Sequence, residues 1–381
     1  MSNQKTILLM AGGTGGHIFP ALAVGKHLQA QGWKLHWLGS EGKMETQIVP
    51  QHGIDMSLLP VKGLRGKGLL AILKAPFSIV SNILAAKKII KKVKPAVVLG
   101  MGGFASGPGG MAAKLVGVPL VIHEQNAVAG MTNKLLHKVS KYTLQAYPNA
   151  FAENKKVVTT GNPVRNDFMN IAIASERVDS QEHGVKVLVV GGSLGAQVFN
   201  DKVPATMNVI NDGLHIQVKH QAGRGKAQEV EGAYQVCTNE RVTAEVTEFI
   251  DDMSAAYEWA DLVICRAGAL TVAEVAMAGC CAIFVPYPHA VDDHQTHNAR
   301  FLSDKGAALI IQQHDMSEKR LAEQITALAN NKEHLIEMAD KARQLAKPQA
   351  TEEVAAFCVK AANSDSPDSN KSHEMADGEQ V

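Results

Sequence analysis

Short apolar runs alternate along the chain with longer stretches in which apolar residues recur at helical spacing. The first half contains five such runs, at residues 6–10, 35–38, 97–99, 120–122 and 142–145. The second half contains five more, at residues 185–190, 215–219, 262–265, 282–285 and 308–311. Runs of this length separated by helices predict βαβ units, whose parallel strands are buried on both faces. The pattern therefore predicts an α/β protein with two doubly wound parallel sheets.

The periodicity lapses between the two halves, and this lapse predicts a domain boundary. The region from Gly161 to Gly184 contains Asn162-Pro163 and a polar stretch at residues 175–184. We expect a first domain at residues 1–163 and a second at residues 164–345. Only helical patterns follow residue 315, and residues 346–362 form the last of them. The polar segment 363–381 is expected to be a disordered tail.

The composition is that of a soluble globular protein, with 46% hydrophobic and 20% charged residues. A chain of 381 residues suffices for two domains that each bury their own core. A net charge of +1 argues against a nucleic-acid-binding protein, which is usually strongly basic. The five cysteines have no CxxC spacing, and the first residues lack the pattern of a signal peptide. We therefore expect reduced thiols, no bilayer-spanning segment and a cytosolic protein.

Two glycine-rich loops each follow a predicted strand and precede a predicted helix. The first is Gly12-Gly13-Thr14-Gly15-Gly16-His17, and the second is Gly191-Gly192-Ser193-Leu194-Gly195. Glycine lets backbone N–H groups and a helix N-terminus approach an anion closely, which suits a phosphate group. For the first loop, a tight turn without a ligand is the alternative.

His17 follows the first loop, where its imidazole could accept a proton from an attacking hydroxyl. A histidine that only hydrogen-bonds the loop is the alternative. Pro20 is expected in the first turn of the following helix, a position that tolerates proline.

Glycine-rich and polar segments follow two further strands of the first half. Residues 100–110 contain six glycines, which implies close approach of this backbone to another backbone or to a ligand. His123, Glu124, Gln125 and Asn126 end the next strand and are expected to point towards a ligand at the carboxyl edge of the sheet. There Asn126 could hydrogen-bond a sugar hydroxyl. Glu124 could orient His17 or accept a hydrogen bond from the substrate.

The second half offers sites for a diphosphate and a ribose. Residues 265–274 follow a strand and open a helix, so Gly268 and Thr271 suit a diphosphate at a helix N-terminus. Glu274 lies one turn further on, where a carboxylate could bind ribose hydroxyls. The core contains no Asp-x-Asp pair for a metal, so Arg165 and backbone amides would have to offset the charge of a leaving diphosphate. Three histidines have an irregular spacing that favours a solvated helix start over a metal site: His289, His294 and His297.

Eight motifs together resemble glycosyltransferase family 28, which includes an N-acetylglucosaminyltransferase of peptidoglycan synthesis: GGTGGH, GMGGFASGPGG, HEQN, GNPVR, GGSLGA, EFIDDM, CRAGALTVAE and DDHQTHNA. The resemblance covers residues 5–360 in the family's order. It implies the GT-B fold, with two Rossmann-like domains, a deep interdomain cleft and a C-terminal helix that packs back on the first domain. It also implies inverting, metal-independent transfer of GlcNAc from UDP-GlcNAc to the C4 hydroxyl of undecaprenyl-pyrophosphoryl-MurNAc-pentapeptide (lipid I), giving lipid II and UDP.

The resemblance also implies the residues of the site. His17 would be the general base. Glu124 is expected as a second catalytic residue because of its position at the strand end, as argued above, and not from the resemblance. Ile250 would present its backbone to uracil, and Gln295 would bind the GlcNAc hydroxyls. Ser193 and Thr271 would bind the diphosphate. Neither a metal nor a cofactor is expected. The full set expected to bind UDP-GlcNAc is Thr14, Gly15, Gly16, Asn126, Arg165, Ser193, Ile250, Ala269, Leu270, Thr271, Val272, Ala273, Glu274 and Gln295.

A basic, acid-free stretch lies between Asp55 and Glu124. It contains ten lysines and arginines, and some of them flank the apolar segment 69–80. An apolar patch rimmed by basic groups can bind an anionic membrane surface, whereas a core helix with a solvated lysine face is the alternative. In the family this region docks on the membrane that holds lipid I. We therefore expect a peripheral protein on the cytoplasmic face of the bacterial inner membrane.

Three other functions are compatible with parts of the pattern. A nicotinamide oxidoreductase should have GxGxxG and an acidic residue about 20 positions on, of which Gly39-Ser40-Glu41 is only a weak trace. A GT-B enzyme of the UDP-GlcNAc 2-epimerase type would use the same sugar nucleotide without a lipid acceptor. A non-catalytic membrane scaffold would bind the sugar nucleotide without transferring it. None of the motifs sets the oligomeric state.

Overall fold

The structure is a computed structural model that describes residues 4–61, 69–178, 184–192, 194–210 and 213–364, with the backbone alone for residues 69–75. The chain divides into two compact units. The first comprises Met1–Pro163 together with Gln349–Val381, and the second comprises Val164–Pro348. All five cysteines are free thiols, and four of them are buried.

The first unit contains a seven-stranded parallel sheet with the strand order β3-β2-β1-β4-β5-β6-β7. Its strands are β1 (Thr6–Met10), β2 (Lys34–Ser40), β3 (Asp55–Leu59), β4 (Val97–Gly100), β5 (Leu120–Glu124), β6 (Tyr142–Gln145) and β7 (Val157–Thr159). Its first five helices are α1 (Gly15–Ala30), α2 (Glu45–Gln51), α3 (Leu69–Val93), α4 (Ser106–Val116) and α5 (Met131–His137). The central strands β1 and β4 are almost wholly buried because helices cover both faces of the sheet.

The second unit repeats this architecture with a six-stranded parallel sheet in the order β10-β9-β8-β11-β12-β13. Its strands are β8 (Gly184–Val190), β9 (His215–Gln221), β10 (Val242–Thr247), β11 (Leu262–Cys265), β12 (Cys281–Phe284) and β13 (Leu309–Ile310). Its helices are α6 (Ala174–Arg177), α7 (Gln197–Val209), α8 (Ala227–Gln235), α9 (Met253–Trp259), α10 (Ala269–Ala278), α11 (His294–Ser303), α12 (Glu318–Asn330) and α13 (Lys332–Gln344). Each sheet therefore has a switch point beside its first strand, where the strand order reverses and ligands of this fold bind.

The last helix, α14 (Ala350–Asn363), belongs to the first unit although it follows the second unit in sequence. It packs against α1, β4 and β5. Its contact face consists of Val354, Ala355, Cys358 and Ala361, all almost completely buried in the core that also holds β1. This spacing places the four side chains on one stripe of the helix.

All ten predicted strands are present, and three further strands were not predicted. The additional strands are β3, β7 and β10, and each lies at an edge of its sheet. Edge strands are incompletely covered, as in β10, where three of the six residues are exposed and none is buried. They therefore lack the continuous apolar run that marks a central strand. The predicted position of Pro20 was also wrong. Helix α1 begins at Gly15, so Pro20 lies in its second turn and leaves one helical hydrogen bond unmade.

Candidate functional site

In the first unit, the loops after β1 and β4 meet at the switch point of the sheet. Gly103 has φ +89°, and a Cβ atom there would lie 2.6 to 2.9 Å from the backbone of Gly12. Both the backbone conformation and the contact therefore require glycine at position 103. The glycine-rich segment after β4 thus lies directly against the first glycine loop.

His17 lies in the first turn of α1, partly buried, with its ring against Gly102. Its Nδ1 atom lies 3.0 Å from the carbonyl oxygen of Gly12. A carbonyl can only accept, so Nδ1 carries the proton and Nε2 holds the free lone pair. The loop-bonding alternative is therefore correct for Nδ1. The same bond fixes the tautomer in which Nε2 can act as a base.

Thr14, Gly15 and Gly16 form the N-terminal end of α1. Thr14 is the N-cap residue with an extended backbone, and it is exposed. The carbonyl of Thr14 accepts hydrogen bonds from the amides of His17 and Ile18, at 3.1 and 3.2 Å. The amides at the start of α1 are therefore at the surface of the first unit, where a helix N-terminus can bind a polar ligand.

The four polar residues at the end of β5, two of them within the strand, differ from the sequence expectation. His123, Glu124 and Gln125 are buried rather than directed towards a ligand, and only Asn126 is partly exposed. Burial lowers the pKa of His123 to about 4, although the Gly161 carbonyl and Glu124 act in the opposite direction. His123 donates to the Gly161 carbonyl at 2.9 Å and is therefore a neutral core residue. The expectation for this tetrad was wrong for its first three members, because a central strand buries both of its faces.

Glu124 uses both carboxylate oxygens within the first unit. Oε1 accepts from the backbone and side-chain nitrogens of Asn126, at 3.0 and 3.2 Å. Oε2 accepts from the Gly130 amide at 3.0 Å and from the Asn133 side chain at 2.9 Å. These bonds hold the loop that carries Asn126, and none of them involves His17.

In the second unit, the second glycine loop lies after β8, at the switch point. A Cβ atom on Gly195, which has φ +69°, would overlap the backbone of Ala222 at the end of β9. The Gln221 side chain donates to the Gly192 carbonyl at 3.1 Å and fixes the loop from the same strand. Ser193, predicted to meet the diphosphate, lies outside the described residues.

Helix α10 follows β11, the strand beside β8 in the sheet, and Gly268 is its N-cap residue. The first turn contains no acidic residue and ends near Thr271, so its amide groups form a site of positive potential. The segment 269–274, predicted to contact the donor, comprises the first six residues of this helix: Ala269, Leu270, Thr271, Val272, Ala273 and Glu274.

Glu274 and Arg165 lie near each other in the second unit. The 3-10 helix Asn166–Asn170 packs against α10 and brings the preceding Arg165 to this helix. Glu274 keeps some exposed surface as a residue, yet its carboxyl group is enclosed by protein. This desolvation raises the pKa of Glu274 to about 7, while Arg165 lowers it and Asp167 raises it. The site therefore holds a carboxyl group that titrates near neutral pH.

Arg177 anchors the segment that carries Arg165. Its guanidinium donates to four backbone carbonyls of the second unit: Tyr257, Ala260, Ala278 and Gly279. Two of these carbonyls cap the end of α10. Arg177 therefore holds the segment that follows Arg165 to the C-terminal end of α10.

The two remaining predicted donor residues lie in loops of the second unit. Ile250 follows β10 and lines a cavity with Thr247, Phe249 and Asp252. Gln295 is the second residue of α11, and its side-chain oxygen accepts from the Tyr287 amide at 2.9 Å. Before α11, Asp292 and Asp293 adopt the left-handed conformation, at φ 53° and 48°. Two consecutive strained residues of this kind are typical of functional loops.

The histidines at 289, 294 and 297 form no ligand set. Within the described ranges, no group of three or more histidine, cysteine or acidic side chains could hold a metal ion. His294 instead has Nδ1 at 2.8 Å from the Val291 carbonyl, at the start of α11.

Glu45 is a residue of the site that sequence reasoning missed. It begins α2 and is completely buried. Its Oε2 accepts from the Gly13 amide at 2.9 Å, and its Oε1 accepts from the Ser40 amide at 3.0 Å. Because β2 is the neighbour of β1, an acidic residue after β2 reaches the first glycine loop. The only acidic residue that the sequence analysis considered after β2 was Glu41, four positions earlier.

Comparisons with known proteins identify the family. The glycosyltransferase family 28 N-terminal domain matches residues 7–145, and the C-terminal domain of the same family matches residues 186–354. A Shewanella loihica protein is 49% identical over 368 residues, which is 97% of this chain and 100% of that protein. The chain belongs to glycosyltransferase family 28. That relative is named UDP-N-acetylglucosamine--N-acetylmuramyl-(pentapeptide) pyrophosphoryl-undecaprenol N-acetylglucosamine transferase.

Solved structures of the family's fold agree with the two parallel sheets. The crystal structure of Acinetobacter baumannii MurG superposes with a TM-score of 0.79 at 41% identity, covering 93% of this chain and 99% of that one. The fold of this family 28 member is therefore the GT-B fold. A UDP-GlcNAc 2-epimerase from Neisseria meningitidis has a TM-score of 0.64 at only 12% identity. The epimerase alternative thus rests on the fold alone.

Proposed function

We propose that this family 28 enzyme transfers GlcNAc from UDP-GlcNAc to the MurNAc C4 hydroxyl of lipid I, giving lipid II and UDP. The observation that carries this proposal is the 49% identity, over 97% of the chain, to a relative named for that transfer. Two observations support it: Nδ1 of His17 is bonded to the loop in the first unit, and the N-terminus of α10 lies on the same helix as the enclosed carboxyl group of Glu274 in the second.

The second unit would bind the donor. The carboxylate of Glu274 would accept hydrogen bonds from the ribose hydroxyls, and the backbone of Ile250 would pair with uracil. The diphosphate would lie at the N-terminus of α10, whose first turn contains Ala269, Leu270 and Thr271 and would bind it through the helix dipole and the Thr271 hydroxyl. The side-chain oxygen of Gln295 is already bonded to Tyr287, so its NH₂ group would donate to GlcNAc. Ser193, Val272 and Ala273 complete the set on the donor side.

The first unit would supply the base. Nε2 of His17 accepts the proton from the C4 hydroxyl as this oxygen attacks C1 of GlcNAc and the bond from C1 to the UDP oxygen breaks. Attack from the face opposite UDP inverts the configuration at C1. The charge left on UDP is met by Arg165 and the amides of α10, which takes the place of a metal. Thr14, Gly15, Gly16 and Asn126 would contribute hydrogen bonds around the sugars.

His17→Ala tests the base. We expect kcat to fall by about 10²- to 10⁴-fold, the usual effect of removing a general base, with UDP-GlcNAc binding unchanged. His27→Ala is the matched control, because His27 lies near the other end of the same helix. Near-normal turnover of His17→Ala at saturating substrates would exclude His17 as the base.

We also propose that α3 docks this enzyme on the anionic cytoplasmic face of the inner membrane. Phe77, Val80 and Leu84 of this helix are 81%, 55% and 52% exposed and line one groove with Lys88. Exposed lysines follow on the same helix at positions 88, 91 and 92. Each lysine near an anionic surface contributes about 1 kcal/mol to binding. No helix in the described part of the chain is long and apolar enough to cross a membrane.

Flotation with vesicles that contain anionic lipid tests this docking. We expect the wild type to float at low salt and Phe77→Ser/Val80→Ser to stay behind. Val236→Ser is the control, since Val236 is 73% exposed but lies in the second unit. Equal flotation of all three proteins would assign the binding to another surface.

Some basic residues of the stretch lie outside the described part of the chain. They are the residues at 62–68, which include Lys62, Arg65 and Lys67, and the side chain of Lys74.

A further inference from the structure

We propose that Glu45 is a positioning residue for the general base, acting on His17 through the Gly12–Gly13 peptide group. The inference rests on the proposed function, since it assumes that His17 takes the acceptor proton. It assigns to Glu45 the orienting role that the sequence suggested for Glu124.

One peptide group connects the two side chains. The Gly13 amide donates to Glu45 Oε2 at 2.9 Å, and the Gly12 carbonyl of the same peptide accepts from His17 Nδ1 at 3.0 Å. In a trans peptide these two groups point in opposite directions, so the carboxylate and the imidazole lie on opposite sides of it. The result is a continuous hydrogen-bond chain from carboxylate to peptide to imidazole.

The space around Gly12 is shaped by Glu45. A Cβ atom on Gly12 would overlap the Glu45 carboxyl group, and a Cβ atom on Gly39 would lie 2.9 Å from its Cγ atom. Glu45 itself has no exposed surface. Positions 12 and 39 are thus both glycine for the same reason. A side chain at either one would occupy the space through which the Glu45 carboxylate reaches the loop.

The two peptide groups just before the loop are bonded by other side chains, so the bond from Glu45 has a separate role. The Ala11 carbonyl accepts from the Trp37 indole at 2.9 Å, and the Met10 carbonyl accepts from the Ser106 hydroxyl at 3.1 Å. Neither bond involves the Gly12–Gly13 peptide. Glu45 is therefore the side chain that polarises the peptide facing His17.

The chain of bonds suits a general base. A carboxylate that accepts from the Gly13 amide increases the electron density on the Gly12 oxygen, which strengthens its bond from Nδ1–H. That bond keeps the proton on Nδ1 and leaves Nε2 as the acceptor. When Nε2 takes the proton of the C4 hydroxyl, the imidazolium charge is stabilised through the same peptide. A carboxylate bonded directly to a catalytic histidine does this in hydrolases, and here a peptide lies between the two.

Glu45→Gln tests the inference, because it keeps the side-chain shape and removes the charge and one acceptor. We expect kcat to fall about tenfold, less than on loss of the base itself, with KM for UDP-GlcNAc unchanged. In protein labelled with ¹⁵N-histidine, the His17 ring should be a single Nδ1–H tautomer in the wild type and a mixture in the variant. Its signals are identified by their absence in His17→Ala. Ser106→Ala is the matched control. It removes the hydroxyl that bonds the Met10 carbonyl before the loop and the Gly102 carbonyl against the His17 ring, but it leaves the Gly12–Gly13 peptide untouched and should keep the single tautomer.

A double-mutant cycle separates this role from a structural one. In the His17→Ala background, Glu45→Gln should cause no further loss of kcat, because its effect passes through His17. A further tenfold loss there, an unchanged tautomer in Glu45→Gln, or the same tautomer mixture in Ser106→Ala would each overturn the proposal. Should Glu45→Gln fail to fold, Glu45→Asp, which keeps both oxygens on a shorter side chain, goes through the same measurements. Failure of the proposed function is a different result, namely wild-type protein without transfer or His17→Ala with normal turnover.

Discussion

Glu274 combines an enclosed carboxyl group with a nearby arginine, and its pKa of about 7 has a consequence for donor binding. Hydrogen bonds from ribose hydroxyls favour the ionised carboxylate, so bound donor lowers this pKa. Below pH 7 the protonated carboxyl group of Glu274 must release its proton before it can bind the ribose of UDP-GlcNAc. The affinity for UDP-GlcNAc should therefore rise as the pH increases through 7 and level off once Glu274 is ionised without ligand.

We predict that the Kd for UDP-GlcNAc is about tenfold higher at pH 6 than at pH 8, as expected for one group with this pKa. Calorimetry in two buffers of different ionisation enthalpy measures both the Kd and the proton released. UDP-GlcNAc is a suitable probe because its diphosphate has no free terminal phosphate to titrate in this range. Glu274→Gln should bind more weakly and lose the pH dependence. The same pH dependence in that variant would show that another group titrates.

The contact between the loops after β1 and β4 is the element-level feature on which the position of His17 depends. Gly103 packs against the Gly12 backbone, and Gly12 in turn holds His17 Nδ1. A side chain at position 103 must displace the first glycine loop. A substitution in the loop after β4 should therefore shift the position of His17 on α1.

We predict that Gly103→Ala lowers both stability and kcat, whereas Gly32→Ala lowers only stability. Gly32 has a similar φ of +86°, but a Cβ atom there would contact nothing within 4 Å. Gly32→Ala should lower the free energy of unfolding by about 1 kcal/mol, because alanine is strained in the left-handed backbone conformation. Gly103→Ala should lower it further because its Cβ atom would also overlap the Gly12 backbone. Urea unfolding and steady-state kinetics of both variants give the comparison. Equal stability loss and equal kcat would contradict the account of this contact.

The sequence was sufficient to predict the central strands and the two loops at their switch points, because buried parallel strands are continuous apolar runs. It was insufficient for the edge strands β3, β7 and β10. Polar residues are exposed in β3 and β10, and β7 is only three residues long. It also misplaced His123, Glu124 and Gln125, since their polarity is satisfied inside the unit by backbone and side-chain partners rather than by a ligand. Glu45 could not be found by spacing, because its role depends on the adjacency of β2 to β1.

At the level of the whole molecule, α14 follows the second unit in sequence but packs in the core of the first unit. Burying an aliphatic side chain contributes about 1.5–3 kcal/mol, and Val354 is one of several buried positions on this helix. The first unit should therefore depend on a helix that follows the whole second unit in sequence. The second unit, Val164–Pro348, holds all its own strands.

We predict that a chain ending at Pro348 loses several kcal/mol of stability in the first unit but still binds UDP-GlcNAc through the second. A chain ending at Ser364 retains α14 and is the control, with the thermal stability and activity of the full chain. Calorimetric scans with and without UDP-GlcNAc distinguish the two units. Unchanged unfolding of the shorter chain would show that α14 adds nothing to the first unit.

The central claim is transfer of GlcNAc to a lipid-linked acceptor, and a radiolabelled transfer assay tests it most directly. UDP-GlcNAc labelled in the sugar is incubated with the enzyme and lipid I, and label in the lipid fraction is measured alongside UDP. The account predicts label in lipid II, one UDP released per GlcNAc transferred, and no UDP release when lipid I is left out. Release of UDP without acceptor, or a lipid fraction that stays unlabelled, would contradict it.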